Sequence, residues 1–230
     1  MIIELLGLPG CGKTSVYNYI LTHLQSEAES VYSAQKLLKR SLPHNKLIKY
    51  CLISLKTIFA FAANFIFVIS LPWSIFLRIN KVERRVIFTS LILNILQRDY
   101  IEKFSKGAII LFDEGIIHRA YSIFIHRNLQ IKNSFIRKYA NTVKLPTLLF
   151  YLRGDYLECF RRLKNKEALP ERLRGVPDDE IMRILAKAQE FLDVYVGCLK
   201  KRGLRVFVIQ RSDISGMGNR IISFIKTNER

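Results

Sequence analysis

Eight residues near the start of the chain, Gly7-Leu8-Pro9-Gly10-Cys11-Gly12-Lys13-Thr14, fit the phosphate-loop pattern G-x-x-x-x-G-K-[ST] without a mismatch. No other feature limits the fold so tightly, because the loop needs a strand before it and a helix after it. Both are present. Met1 to Leu6 is an apolar run suited to a buried parallel strand. Tyr17, Ile20, Leu21 and Leu24 recur at helical spacing, so a helix opens at the loop. The glycines let successive N–H groups curl toward one anion, and the helix N-terminus adds roughly half a positive charge. The residues expected to hold a nucleotide are Gly7, Pro9, Gly10, Cys11, Gly12, Lys13, Thr14 and Ser15. Lys13 would reach the β- and γ-phosphates of ATP, and the Thr14 hydroxyl would ligand Mg²⁺. The plainer reading is a glycine-rich turn before an ordinary helix. Cys11 likewise reads either as a redox-sensitive thiol beside a nucleotide or as a small filler.

A chain of 230 residues, half of them hydrophobic, suits a single domain with insertions. The cysteines, at 11, 51, 159 and 198, form no C-x-x-C pair, so neither a zinc site nor a disulfide framework is indicated. Glu4 comes early and no basic leader precedes it, which leads to an expected cytoplasmic location, at the inner face of a membrane if the apolar segment below binds one. With 37 Lys and Arg against 19 Asp and Glu, the formal charge is +18. Such an excess calls for an anionic partner: nucleic acid, anionic lipid or a phosphorylated substrate. Nucleic acid has charge alone in its favour, since no aromatic–basic motif accompanies it.

The first helix is expected to reach about His23, with 26–30 as a loop and Val31 to Ala34 as a short strand. Gln35 and Lys36 supply no carboxylate at its end. Residues 36–106 read as a basic and apolar helical insertion. Within it, 57–77 carry no charged side chain, a length sufficient on paper to span a bilayer. A single crossing would place the loop and the carboxylates discussed next on opposite sides. Two readings remain. The segment is an insertion packed on the domain or on a second copy in a homodimer, or it lies in a membrane surface, bent at Pro72 with Trp73 at headgroup level. Val82 to Lys106 has the spacing of a long helix, with Val82, Val86, Thr89, Leu93, Leu96 and Tyr100 in a stripe widened by Leu91 and Ile95. Lys103 and Lys106 suit its C-terminal end, and Gly107 its C′ position.

Ala108 to Phe112 is an apolar strand ending in Asp113-Glu114-Gly115. It would deliver the Asp113 carboxylate beside the loop, able to hold Mg²⁺ directly or through water. Asp113 also reads as a turn or cap, and Glu114 as either a general base or a capping carboxylate. Ile116 to Asn128 is an expected helix, on which Arg119 could meet a donor phosphate or an anionic acceptor, or face solvent. Residues 130–144 are polar and basic. Thr147 to Leu152 is a strand, and Asp155 caps a helix from about Tyr156. Residues 161–177 read as a lid whose Arg162, Arg172 and Arg174 could neutralise charge on a transferring phosphoryl group, or form a solvated turn. Asp178-Asp179 cap a helix to about Lys201 with Ile181, Ile184, Leu185, Ala188, Leu192 and Tyr195 buried. Arg205 to Ile209 is the last strand, Ser212-Asp213 sit where adenine could pack, and Met217 to Ile225 is the last helix.

Strands alternating with helices, with the loop after the first strand, give an α/β fold: a three-layer P-loop NTPase sandwich with a mostly parallel sheet and a helical apolar insertion. The chain resembles the nucleoside-monophosphate-kinase group of P-loop proteins, and within it the thymidylate kinase-like branch. Gly7 to Thr14, Asp113-Glu114-Gly115 with Arg119, and the Tyr151-Leu152 strand running into Arg162-Leu163 carry the likeness, which leaves out residues 36–106. The resemblance implies a lid over ATP built from Arg162, Lys166, Arg172 and Arg174, with Arg162 near the adenine. Thymidylate kinases carry Asp-Arg where this chain has Asp113-Glu114, and their arginine for the acceptor phosphate has no counterpart after the second strand. Asp-Glu-Gly before a basic helix resembles members of the branch linked to surface-polysaccharide synthesis, which implies a glycan- or lipid-linked acceptor. The expected function is ATP- and Mg²⁺-dependent phosphoryl transfer, with Asp113 or Glu114 polarising the acceptor. A nucleotide-switched NTPase that binds a membrane or partner is the rival from another class, and an ordinary nucleoside monophosphate kinase the second alternative.

Overall fold

The computed structural model describes residues 1–27, 30–34, 36–37, 87, 91–92, 94–95, 98, 101, 107–125, 132–165, 169–170, 173–210 and 212–228. Its strands are β1 (Ile2–Gly7), β2 (Val31–Ser33), β3 (Ile109–Phe112), β4 (Leu148–Arg153) and β5 (Val206–Gln210). They form one sheet in the order β2-β3-β1-β4-β5, every pairing parallel. The helices with defined bounds are α1 (Lys13–Glu27), α2 (Ile116–Phe124), α3 (Asn133–Thr142), α4 (Tyr156–Lys164), α5 (Asp178–Lys201) and α6 (Ile214–Asn228). This is the expected α/β sandwich. β3 is buried along its length and β1 everywhere past Ile2, the pattern of a sheet covered on both faces. Helix α1 packs on α6, while α5 gathers α2, α3 and α4.

Several boundaries differ from the sequence reading for local reasons. Helix α1 continues to Glu27 because its polar last turn bonds nearby: Ser26 Oγ donates to the His23 carbonyl (2.7 Å) and Gln25 Nε2 to that of Val31 (3.0 Å). The polar stretch 130–144 holds a helix, α3, that turns only Ile136, Tyr139 and Ala140 inward. Tyr139 anchors it by donating to the Ile116 carbonyl at 3.0 Å. Asp178 and Asp179 lie in the first turn of α5, with Pro177 at the cap position, where their charge still complements the helix end. Helix α2 stops at Phe124, short of the expected Asn128. The last helix begins earlier than expected because Asp213 caps it, accepting from the Gly216 N–H (3.2 Å) and the Ser215 hydroxyl.

Within 36–106, Ile87, Leu91, Ile92, Asn94, Ile95, Arg98 and Ile101 are helical. All but Ile92 are buried. Leu91 and Ile95 belong to the expected stripe, and its other members lie outside the described residues, as do Lys103 and Lys106. Gly107 has φ +81°, which suits a helix end. The apolar segment 57–77 also lies outside them. Among the described residues no helix is long and apolar enough to cross a membrane.

One strand residue breaks the apolar pattern. Glu4, in the middle of β1, is 1% exposed. Its Oε1 accepts the His118 N–H at 2.7 Å, and the carboxylate also accepts from the Ile117 N–H. Strand β1 thus caps the start of α2, where Gly115 has no side chain to do so. A Cβ on Gly115 would lie 2.5 Å from the Glu4 carboxyl carbon, so any side chain there would have to displace that carboxylate. Burial pushes the Glu4 carboxyl up to about 7 from 4.5, against the opposing pull of the two amides, Arg98 and Arg119. A carboxyl raised on folding stays protonated in the native state after the unfolded chain has released its proton. Stability should therefore fall as pH rises from 4.5 to 7. At about 1.4 kcal/mol per pKa unit, the loss should approach ~3 kcal/mol. Glu4→Gln should remove that slope in denaturant unfolding across pH 4–8, and an unchanged slope would refute this account.

Candidate active site

The loop between β1 and α1 turns on two glycines with positive φ, Gly10 at +83° and Gly12 at +91°. The Cys11 N–H donates to the Leu8 carbonyl (3.2 Å), and the Val16 N–H to that of Gly12 (3.0 Å), closing the first turn of α1. Cys11 is 1% exposed, and its Sγ would crowd a Cβ on Gly7 at 2.7 Å. The thiol is therefore packed beneath the loop. Pro9 is half-buried, and Thr14 and Ser15 are exposed at the helix start.

Parallel pairing of β1 with β3 ends both strands at one edge, and this sets Asp113 beside the loop. Thr14 Oγ1 donates to Asp113 Oδ2 at 3.1 Å. Lys13 Nζ, almost buried, stands 3.9 Å from both Asp113 Oδ1 and Glu114 Oε1. Burial raises the Asp113 carboxyl above its ordinary range, with Lys13 and the Thr14 bond opposing and Glu114 adding to the rise. Asp113 Oδ1 is buried without a hydrogen-bond partner among the described residues. A hydroxyl and a carboxylate with a spare oxygen make a hard donor set, which fits Mg²⁺ completed by water and phosphate. Among the described residues no group of three or more His, Cys, Asp or Glu gathers to hold a metal alone.

Glu114 is half exposed and gathers basic side chains. Arg119 Nη2 donates to its Oε2 at 3.2 Å, and His118 Nε2 lies 3.6 Å from its Oε1, on the same side as Lys13. Sequence reasoning set both His118 and Arg119 just beyond Asp113, where an acceptor could sit, and offered a phosphate or acceptor contact for Arg119. It also took Glu4 only as a mark against a leader, although an acidic residue inside an apolar strand was a visible signal. Tyr17 was read only as part of the helical spacing of α1. Its phenol bonds Ser33 at the end of β2 and feels the Asp113 charge, and burial raises it. Nothing in the sequence announced that pair.

Of the arginines expected in a lid, Arg162 and Arg174 are among the described residues. Asp155 caps α4 by accepting the Leu157 N–H at 2.8 Å. On α4, Arg162 Nη1 would lie 3.6 Å from a Cβ on Gly12, so its guanidinium stands over the loop, with Glu158 at 3.9 Å. Arg174 is exposed and turned back on its own bend, its Nε donating to the Leu169 carbonyl at 3.3 Å. Lys166 and Arg172 lie outside the described residues. Asp213, expected near adenine, is engaged in capping α6.

Helix α4 rests on the loop, since a Cβ on Gly10 would run into the Cys159 carbonyl and come within 3.0 Å of Leu163. Gly10→Ala combines that clash with a positive φ and should destabilise by about 2 kcal/mol or more. Gly12→Ala has space and should cost only the backbone term, about 1 kcal/mol. Thermal unfolding of the two variants checks the order; equal losses would refute it.

The sequence matches no family model, and no curated protein matches it. Solved structures do resemble the chain. Deoxyadenosine kinase from M. mycoides with the products dCMP and dCDP bound aligns with a TM-score of 0.54 at 14% identity, covering 99% of this chain and 100% of that one. The same enzyme with dCTP gives 0.53 at 13% identity, over 99% and 100% of the two chains, and with dATP 0.51 at 14%, over 98% and 100%. At such identity the likeness is one of fold, and this chain has a P-loop kinase-like fold.

Proposed function

We propose that the protein is an ATP- and Mg²⁺-dependent phosphotransferase that moves the γ-phosphoryl group of ATP to a small-molecule acceptor. The observation that carries this reading is the meeting of Lys13, Thr14 and Asp113 at the carboxyl edge of the sheet. In this reading the loop amides and Lys13 hold the triphosphate. Thr14 and Asp113 hold Mg²⁺, which when bound neutralises charge on the phosphates. Arg162, over the loop, adds positive charge on the donor side, and Arg172 and Arg174 would join it if the lid closes. Glu114, half exposed, or Asp113 beside it takes the proton of the acceptor hydroxyl, whose oxygen attacks phosphorus in line as the bond to ADP breaks.

The motifs from Gly7 to Thr14, from Asp113 to Gly115, at Arg119 and at Arg162 favour the thymidylate kinase-like branch. The fold shared with deoxyadenosine kinase makes a soluble nucleoside-like acceptor the first to try. A glycan- or lipid-linked acceptor, with membrane contact through 57–77, is the second.

The experiment is label transfer from γ-labelled ATP to deoxyadenosine and, separately, into whole-cell extract split into aqueous and organic phases. Labelled product should form only with Lys13 present. Lys13→Ala should lower turnover at least about a hundredfold, the usual scale for losing a transition-state charge partner, with an unchanged circular dichroism spectrum. Undiminished turnover in that variant would overturn the assignment. Label released only as free phosphate, at one rate with or without extract, would favour a nucleotide-switched NTPase.

A further inference from the structure

We infer that the outer surface of α3 and the end of α5 form one basic face that lies on an anionic lipid bilayer. The inference goes beyond the phosphotransferase reading and does not rest on it.

The fold builds this face from two stretches of sequence without acid. No Asp or Glu occurs between Glu114 and Asp155, nor between Asp193 and Asp213. Helix α3 belongs to the first stretch and the last turns of α5 to the second. Arg202 ties them together, donating to the carbonyls of Ala140 (2.8 Å) and Val143. Lys132, Arg137 and Lys138 are exposed along α3, and Lys200, Lys201 and Arg202 at the end of α5. Lys144 and Arg205 nearby have contacts of their own. Back along α5, Glu190 lies about 15 Å from Lys200 at the rise of an α-helix. Asp193 is held by Tyr151 at 3.0 Å and Arg153 at 2.9 Å.

Both helices end just before β4 and β5 begin, at the amino edge of the parallel sheet. The phosphate loop lies at the opposite edge, so nucleotide bound there leaves this charge unanswered. Lys200 and Lys201 complement the negative end of α5. Arg137 and Lys138 lie ahead of the last turn of α3 and serve no helix end. A second copy meeting this face with its own would be repelled. Single-stranded nucleic acid is held by stacking on displayed rings. Here Tyr139, Phe191 and Tyr195 are buried against one another, and Phe135 packs on the core. A bilayer asks only for cations against its headgroups, each contributing about fivefold in affinity. The uncharged sequence 57–77 also favours lipid, since stable attachment pairs an apolar signal with a basic one.

Sedimentation of the full chain with vesicles tests this, using phosphatidylcholine alone and phosphatidylcholine mixed with phosphatidylserine. The mixed vesicles should bind at least about tenfold more tightly, with the excess shrinking as salt rises. Arg137→Glu/Lys138→Glu should weaken that binding at least about twentyfold with an unchanged Tm. Arg137→Gln/Lys138→Gln repeats the test without adding acid to α3, and its binding should also fall. Arg220→Glu/Lys226→Glu makes the same change of charge on α6, which packs on α1 in the other helical layer, and should bind nearly as the natural protein does. Equal losses in the two Glu variants would reduce the attraction to net charge and overturn the inference. Equal binding to both kinds of vesicle, or binding to neither, overturns it as well. Tighter binding to RNA than to the mixed vesicles at one salt concentration, lost in Arg137→Glu/Lys138→Glu, would assign the face to nucleic acid instead.

Discussion

The sheet edge that carries the candidate site hangs on one buried carboxylate. Glu4 is part of the central strand, yet it does the work of a helix cap for α2. The first turn of that helix follows directly on Asp113 and Glu114 and carries His118 and Arg119. Four polar positions are therefore fixed by a side chain whose own backbone is locked between two parallel neighbours. A buried charge is costly when alone. Here the helix amides offset part of the cost, and the remainder shows in the raised proton affinity of the group. Glycine at 115 is the steric counterpart of the same arrangement.

From that anchor the charges alternate outward: Glu4, then the positive end of α2, then Glu114 between Arg119 and Lys13, then Asp113 against Thr14 and Lys13. Each group is held by neighbours of opposite sign, so the carboxylates keep their places before any ligand arrives. Among the described residues the acidic groups at this edge each stand beside a basic one.

The parts of this structure that were legible in the sequence share a cause. The loop, the Asp113 strand and the long stripe of α5 rest on short-range rules: glycines where φ must be positive, apolar runs where both faces of a strand are covered, and spacing along a helix. What was missed depends on partners distant in sequence. Glu4 gains its role from residues 117 and 118, over a hundred positions later, and Tyr17 from Ser33. Helix α3 was hidden because three inward residues among many polar ones give a faint pattern. Asp213 was assigned by its place at a strand end, where capping the next helix claimed it first.

The seat of α4 on the loop has a further consequence. The carbonyl of Cys159 and the side chain of Leu163 bear directly on Gly10, and Lys164 at the far end of the helix grips Asp178 of α5 at 2.9 Å. Among the described residues, loop, α4 and the start of α5 are thus joined by close contact at Gly10 and by an ion pair at Lys164. The backbone at Gly10 and the helix that carries Arg162 therefore touch with no room for a side chain between them, so displacing one would press on the other.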